Sequence, residues 1–444
     1  MVNGKKLAEE TAMPSVLEDD DAGAESEKLQ LGEVGRRPSS QVGKATTVDI
    51  RQPRASWTEV GVRGPEDGPS SLDGNDQDRG EQEGEEEDEE LGGEESVISD
   101  EDYDTDLELG GIEEEAYDPS GQARYMEACE MLQVVPASYF LRHVKDSELN
   151  MMHRGLGAQG AKALAVPLVT NTSILRLNLR DNWMEGLGGA AIAEMLKENC
   201  YITEVDLSNN NLGDDGARAI AGMLKENSTL VRLNLSGNHF TDRAAEFLGP
   251  ALVTNAKLQH LDMSHNALRE QAGQILGEAL SENTGLRSIS LAWNSLRGRG
   301  AVMLADGLGG NISLRAVDLS FNGFGKEGAV ALGQALKENN VLEELDVSNN
   351  RIPPEGAVRL AAGLKVNKTI KSLNMSRNPI QNAGCYGILK SVLENKDSAM
   401  EALDFASIIV NKDFEELHAK VKEILPALTI SHGGRIGAFG TAKA

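Results

Sequence analysis

Residues 230–238 read LVRLNLSGN and residues 342–350 read LEELDVSNN. Both fit L-x-x-L-x-L-x-x-N, and the closing residue returns every 28 residues as Asn182, Asn210, Asn238, Asn266, Asn294, Asn322, Asn350 and Asn378. A fixed period of this length marks a solenoid built from one repeated supersecondary unit. The alternation of Leu233 and Leu235 with polar residues predicts a short strand ending near each asparagine. Two residues on stands another apolar side chain, such as Phe240 or Ile352, followed by glycine or, at Ala244 and Ala272, alanine. The period then lengthens. From Gly328, the residues Ala331, Leu332, Ala335 and Leu336 form one apolar stripe while Gln334, Lys337 and Glu338 point away, which predicts a helix covering a core on one side.

A second asparagine series, at 171, 199, 227, 255, 283, 311, 339, 367 and 395, closes these helices. Asparagine tolerates left-handed backbone and bonds to nearby backbone groups, so a left-handed helix end is expected at these positions. Parallel strands stack about 4.8 Å apart, whereas helices with side chains need about 10 Å. The expected fold is therefore an α/β solenoid curved like a horseshoe, made of 28-residue β-α repeats with a parallel concave sheet and outer helices. In it the first asparagine series forms a structural ladder, each amide satisfying backbone groups of its own and the neighbouring loop.

The array is expected at 146–430, after a helical N-terminal cap at 119–145. Its first unit keeps Leu149, Met151 and Leu156 in register but has Arg154 at the asparagine position. At the far end Met400, Leu403 and Phe405 repeat the strand pattern two residues late, 412–426 predicts a last helix, and 431–444 is expected to be a flexible tail. Terminal repeats depart from the consensus because one face meets water.

Residues 1–118 are different material. Between Asp73 and Asp118 stand 23 acidic residues and one arginine, so this stretch carries about 22 of the 28 net negative charges. It repels itself and has little apolar area to offset ordering entropy, so a disordered acidic arm is expected. Within it Ser96 and Ser99 lie among acids, Ser99 directly before Asp100, Glu101 and Asp102, a setting that suits an acid-directed kinase. A pI near 4.7 opposes direct nucleic-acid binding. An apolar run of about 18 residues and a signal-peptide pattern are both lacking, so no membrane insertion and no secretion are expected. Three widely spaced cysteines, Cys129, Cys200 and Cys385, fit buried packing in a reducing intracellular compartment, with the cytoplasm as the expected location and the nucleus compatible.

Motifs for phosphate loops, H-E-x-x-H metal sites and C-x-x-C pairs do not occur, so neither enzyme activity nor a cofactor or metal is expected. His260 and His265 are close in sequence but lack further ligands at suitable spacing. Asp206, Asp262, Asp318 and Asp346 share one strand slot and are expected to be solvated concave surface rather than a catalytic pair. The slot just before each ladder asparagine varies most: Asp181, Asn209, Gly237, His265, Trp293, Phe321, Asn349 and Arg377. Aromatic residues and arginine dominate the energetics of protein interfaces, which makes His265, Trp293, Phe321 and Arg377 a candidate interaction patch at the rim of the concave wall. The alternative is that both large rings fold down over the loops as local packing.

The strings YMEACEMLQVVPASYFLRH (125–143), HRGLGAQGAKAL (153–164), SLAWNSLRGRGAV (290–302), SFNGFG (320–325), NNVLEELDVSNNRI (339–352) and SRNPI (376–380) resemble the leucine-rich-repeat-containing protein 74 family. The resemblance implies a ribonuclease-inhibitor-like leucine-rich-repeat array and carries no catalytic residue, substrate or cofactor onto these positions. The expected function is a non-catalytic protein–protein interaction module or scaffold, binding an unidentified protein through the concave face and its rim. The alternative is a GTPase-activating or small-GTPase-binding regulator, because such activators in nuclear transport pair similar repeats with an acidic tail. Theirs is C-terminal, whereas the acidic stretch here precedes the repeats.

Overall fold

Each unit of the period becomes a three-residue strand, a loop, a helix and a return turn in the structure, a computed structural model that describes residues 120–435. Ser96, Ser99 and the acidic arm lie outside the described residues. The N-terminal cap consists of α1 (Gln122–Met131) and α2 (Ser138–His143). Then follow β1 (Glu148–Asn150), α3 (Gly157–Leu168), β2 (Arg176–Asn178), α4 (Glu185–Glu198), β3 (Glu204–Asp206), α5 (Gly213–Glu226), β4 (Arg232–Asn234) and α6 (Asp242–Thr254). The middle of the array holds β5 (His260–Asp262), α7 (Glu270–Glu282), β6 (Ser288–Ser290), α8 (Gly298–Gly310), β7 (Ala316–Asp318), α9 (Gly325–Glu338), β8 (Glu344–Asp346) and α10 (Pro354–Leu364). It ends in β9 (Ser372–Asn374), α11 (Gln381–Glu394), β10 (Ala402–Phe405), α12 (Lys412–Ile424) and β11 (Thr429–His432).

The strands form one parallel sheet in chain order. Leu177 pairs with Val205 and Val205 with Leu233, so the 28-residue period is also the sheet register. Ala402 faces Ser372, the two-residue delay that the sequence shows at the end of the array. Middle strand residues such as Leu177, Leu261 and Leu345 point inward with the helix stripes and form one continuous core. Tyr125 and Phe140, with ring centroids 4.5 Å apart, close it at the N-terminal end. Phe405 and Phe414 close the other end, 6.2 Å apart. Ser431 and His432, placed by the sequence reading in the flexible tail, are the last two residues of β11 and pair with Asp404 and Phe405.

The first asparagine series bonds as a ladder. Asn210 is fully buried; its Oδ1 accepts the Asn182 N–H at 2.8 Å, and its Nδ2 donates to the carbonyls of Leu179 in the preceding repeat and Leu207 in its own. The position of Arg154 follows from this geometry. A ladder amide serves the loop before it, and β1 is the first described strand, so no earlier loop in the sheet requires one; the Arg154 N–H itself donates to Asn182 Oδ1 at 3.0 Å.

The second series corrects the expectation of left-handed helix ends. Asn199 is extended, φ −75° and ψ 121°, and Asn227, Asn283 and Asn339 are similar. The side chain closes the turn instead. Asn199 Oδ1 accepts the N–H groups of Tyr201 and Ile202, while Nδ2 donates at 2.7 Å and 2.9 Å to the carbonyls of Leu168 and Asn171 in the preceding repeat. Cysteine burial also differs from expectation. Cys129 and Cys385 are buried, with burial pushing the Cys385 thiol up to about 12, but Cys200 is exposed because it follows Asn199 on the solvent side of the turn.

In the middle of the array the outer helices meet backbone to backbone. A Cβ on Gly307 of α8 would lie 2.1 Å from the carbonyl oxygen of Gly277 on α7. One on Gly300 would lie 2.2 Å from the Glu270 oxygen. Glycine is required there by close approach.

Candidate functional site: the concave wall and its rim

The first and third residues of each strand face the groove. The first row alternates in charge at its start: Arg176 Nη2 reaches Glu148 at 3.0 Å and Arg232 Nε reaches Glu204 at 3.6 Å. His260 Nδ1 bonds Ser288 Oγ at 2.7 Å, and the row then becomes small at Ser288 and Ala316. Eight carboxylates line the groove, those of Glu148, Glu204, Asp206, Asp262, Asp318, Glu344, Asp346 and Asp404, against the guanidiniums of Arg176 and Arg232. From β5 onward the lining holds neither arginine nor lysine; Arg315 and Lys371 are engaged at the groove edge by Glu343.

The acids of the third row have a local task that sequence reasoning missed. Asp206, Asp262, Asp318 and Asp346 each accept through Oδ1 the N–H two residues on, at 2.8–2.9 Å. Asn150, Asn178, Asn234 and Asn374 make the same bond at 3.0–3.2 Å. Apart from Ser290 in β6, the slot holds a short side-chain acceptor that turns the chain at the strand end, and the interchange of Asp with Asn was the signal. Charge is therefore dispensable for the turn. Burial, opposed by bonds from Ser348 and Asn374 and reinforced by the charge of Asp318, holds the Asp346 carboxyl above the usual range.

At the rim, every residue in the variable slot has left-handed backbone. Asn209 has φ 56° and Gly237 φ 69°, but so have His265 (54°), Trp293 (52°), Phe321 (53°) and Arg377 (55°). Glycine and asparagine adopt this region readily, whereas other side chains cost roughly 1–2 kcal/mol there. The rings stack along the array. His265 and Trp293 have centroids 5.3 Å apart at 14°, and Trp293 and Phe321 3.8 Å apart at 12°. Trp293 remains 49% exposed, whereas Phe321, stacked against it, is partly buried.

Of the four candidate residues, His265, Trp293 and Phe321 form one column. Arg377 stands two repeats beyond Phe321 and lines, with Arg351, a depression that also touches Trp293 and Phe321. Trp183, 64% exposed, was missed; it follows the ladder asparagine and lines, with His239 and His265, a second depression along the rim.

A further group, Glu415, His418 and His432, gathers at the C-terminal cap with ligand atoms within 4.8 Å of one another. The His432 Nδ1 accepts the Gly434 N–H at 3.3 Å, which puts the proton of the neutral ring on Nε2, where Glu415 Oε1 lies 3.4 Å away. This is the bonding of a cap contact between α12 and β11. Sequence reading had no handle on it, because strand pairing brings together residues from separate elements. Among the described residues, groove and rim hold no catalytic cluster.

A family model described as Leucine Rich repeat matches residues 170–193, 198–221, 226–249, 254–269, 310–333, 338–361 and 366–389. Human leucine-rich repeat-containing protein 74B is 52% identical over 50 residues, 11% of this chain and 13% of that protein. The mouse protein of the same name is 50% identical over 52 residues, 12% of this chain and 13% of that protein. The matched part thus spans only about an eighth of these curated relatives. Among solved structures, leiomodin-1 actin-binding site 2 is similar at 21% identity and TM-score 0.29, covering 34% of this chain and 88% of that one. The tropomodulin C-terminal domain of Caenorhabditis elegans is similar at 18% identity and TM-score 0.29, covering 33% and 89%. The chain is a leucine-rich-repeat protein, related over a small part of its length to members of the leucine-rich-repeat-containing protein 74 family.

Proposed function

We propose that this chain is a non-catalytic interaction module, related to that family, which holds a partner protein with its concave wall and aromatic rim. The observation that carries the reading is the column of His265, Trp293 and Phe321, three stacked rings kept at left-handed backbone, with His265 and Trp293 exposed and Phe321 partly buried. Local strain of this kind persists where the surrounding structure enforces it, and it gathers at functional sites. Stacking returns about 0.5–1.5 kcal/mol per aromatic pair, so the column is close to neutral for folding.

The test replaces Trp293 or Phe321 by asparagine, the residue in the same slot at Asn209 and Asn349. Stability should change by less than about 1 kcal/mol, because lost stacking is offset by relieved backbone strain. Affinity for a partner recovered with the full chain should fall about 30-fold, the size of a central aromatic contact. Titration calorimetry of both variants measures this, and undiminished binding by folded protein rejects the reading. Stimulated hydrolysis by any member of a small-GTPase panel would replace it with the GTPase-regulator alternative.

The acidic arm belongs to the same reading as a phosphorylatable element that recruits basic partners. Phosphate on Ser99 adds about 1.5–2 negative charges at neutral pH. Phosphorylation should therefore tighten binding and steepen its salt dependence. Binding that is unchanged by phosphorylation and by removal of the arm would leave the segment a solubilising tail.

A further inference from the structure

We infer that the surface from β5 to β8 takes a basic segment of a partner protein, with lysine or arginine side chains on the wall carboxylates and apolar side chains along the ring column. The inference rests on the interaction reading above and adds the partner's chemistry. Three features of the same repeats converge on it.

The first is charge. Asp262, Asp318, Glu344 and Asp346 face this part of the groove with no lysine or arginine in its lining. Asp318 and Asp346 are direct partners across β7 and β8, on strands about 4.8 Å apart. Like charges directly opposite one another destabilise a sheet. Asn374, one strand further, shows that the turn bond at this slot does not need a carboxylate. Ser290 Oγ donates to Asp318 Oδ2 at 3.4 Å and Asn374 Nδ2 to Asp346 Oδ2 at 2.7 Å, neutral bonds that cancel no charge. An incoming cation does cancel it, and carboxylates within one screening length of about 8–10 Å act on that cation together.

The second is relief in the wall. At β6 and β7 the groove is floored by Ser288, Ser290 and Ala316, so the wall is lowest where a long side chain would enter. The third is position. Trp293 and Phe321 stand on the loops that follow these two strands, which sets the apolar column beside the lowered, acidic floor. Because Trp293 is stacked on both sides, a partner meets ring edges, which suit aliphatic packing. A segment with basic side chains over the wall and aliphatic ones over the rings matches both surfaces, its basic groups kept to the wall because Arg351 and Arg377 line the depression beside Trp293 and Phe321.

The experiment uses the full chain and three fluorescein-labelled peptides, of alternating lysine–leucine, glutamate–leucine and serine–leucine sequence. Binding is measured by anisotropy over a range of salt. The lysine–leucine peptide should bind best. The Asp318→Asn/Asp346→Asn variant, which keeps the turn acceptors, should weaken it about tenfold and flatten its salt slope. Asp318→Asn alone should give part of that loss and guards against misfolding of the double variant. Trp293→Asn should weaken binding without changing the slope. Because the acidic arm is present in every variant, binding unaffected by the wall substitutions would place the peptide elsewhere and overturn the inference. A preference for the glutamate or serine peptide would do the same. Trp293-dependent binding of the serine peptide, indifferent to Asp318 and Asp346, would overturn the basic-partner inference and leave the interaction reading intact. Recovered partners whose binding is indifferent to both wall and rim variants would remove that reading as well.

Discussion

Alanine at Gly307 should destabilise the array by about 2 kcal/mol, although alanine is the better helix former by about 1 kcal/mol. The added carbon would stand 2.1 Å from the carbonyl oxygen of Gly277 and 2.7 Å from its carbonyl carbon. Neither can turn aside as a side chain can, because both belong to the backbone of α7. The two helices must therefore separate, and the apolar contacts between them open. Valine at the same position should cost more. Gly222→Ala on α5 is the matching control, since a Cβ there meets only Lys197 Nζ at 4.0 Å. That substitution should stabilise by about 0.5–1 kcal/mol. Urea unfolding of the two alanine variants should shift in opposite directions. A Gly307→Ala midpoint at or above wild type would show that the α7–α8 approach is looser than described.

The second large effect is expected at the ladder. Asn322 accepts the Leu296 N–H at 3.0 Å and donates to the carbonyls of Leu291, Leu319 and Ser320. Alanine there leaves buried backbone groups without partners, a cost of about 1–3 kcal/mol. Asn340 is exposed and should tolerate alanine within about 0.5 kcal/mol. The damage from Asn322→Ala should be displaced along the chain. Hydrogen exchange should accelerate at the Leu296 amide, in the repeat before the mutation. Equal melting temperatures for the variant and wild type would show that the amide is not bonded in this way.

Much of this architecture was legible because one period governs it. Leu233, Leu235 and Asn238 announce a strand and its turn, and Ala331, Leu332, Ala335 and Leu336 announce the helix behind it. The degenerate Arg154 lies in the loop after β1, and the late Phe405 ends β10 two residues out of period with β9. What escaped was conformation that side-chain identity conceals. Nothing in Trp293 or Phe321 advertises left-handed backbone, a region their bulk disfavours, so the rim slot could be placed but not its strain. The helix-closing asparagines were expected to combine left-handed backbone with local bonds; the bonds are made, and reach across to the preceding repeat, but the backbone is extended. The Gly277–Gly307 approach depends on how two helices are spaced, which no single repeat encodes.

Both asparagine series send their cross-repeat bonds one way. Asn210 serves the Leu179–Asn182 turn, and Asn199 serves the carbonyls of Leu168 and Asn171. Through these amides each repeat is completed by its successor, a polarity beyond that of the sheet, although Asp214, Asp242 and Glu270 accept backbone N–H groups from the repeat that follows them. During synthesis, which delivers the N-terminal repeats first, each new strand arrives with its own loop unfinished and finishes the one already made. Ordering must therefore trail translation by one unit. A chain cut short within the array would end in buried amides awaiting a partner that never emerges. A chain shortened from the front would free, among these amides, only polar side chains that water can accept, while baring the apolar face that Tyr125 and Phe140 close.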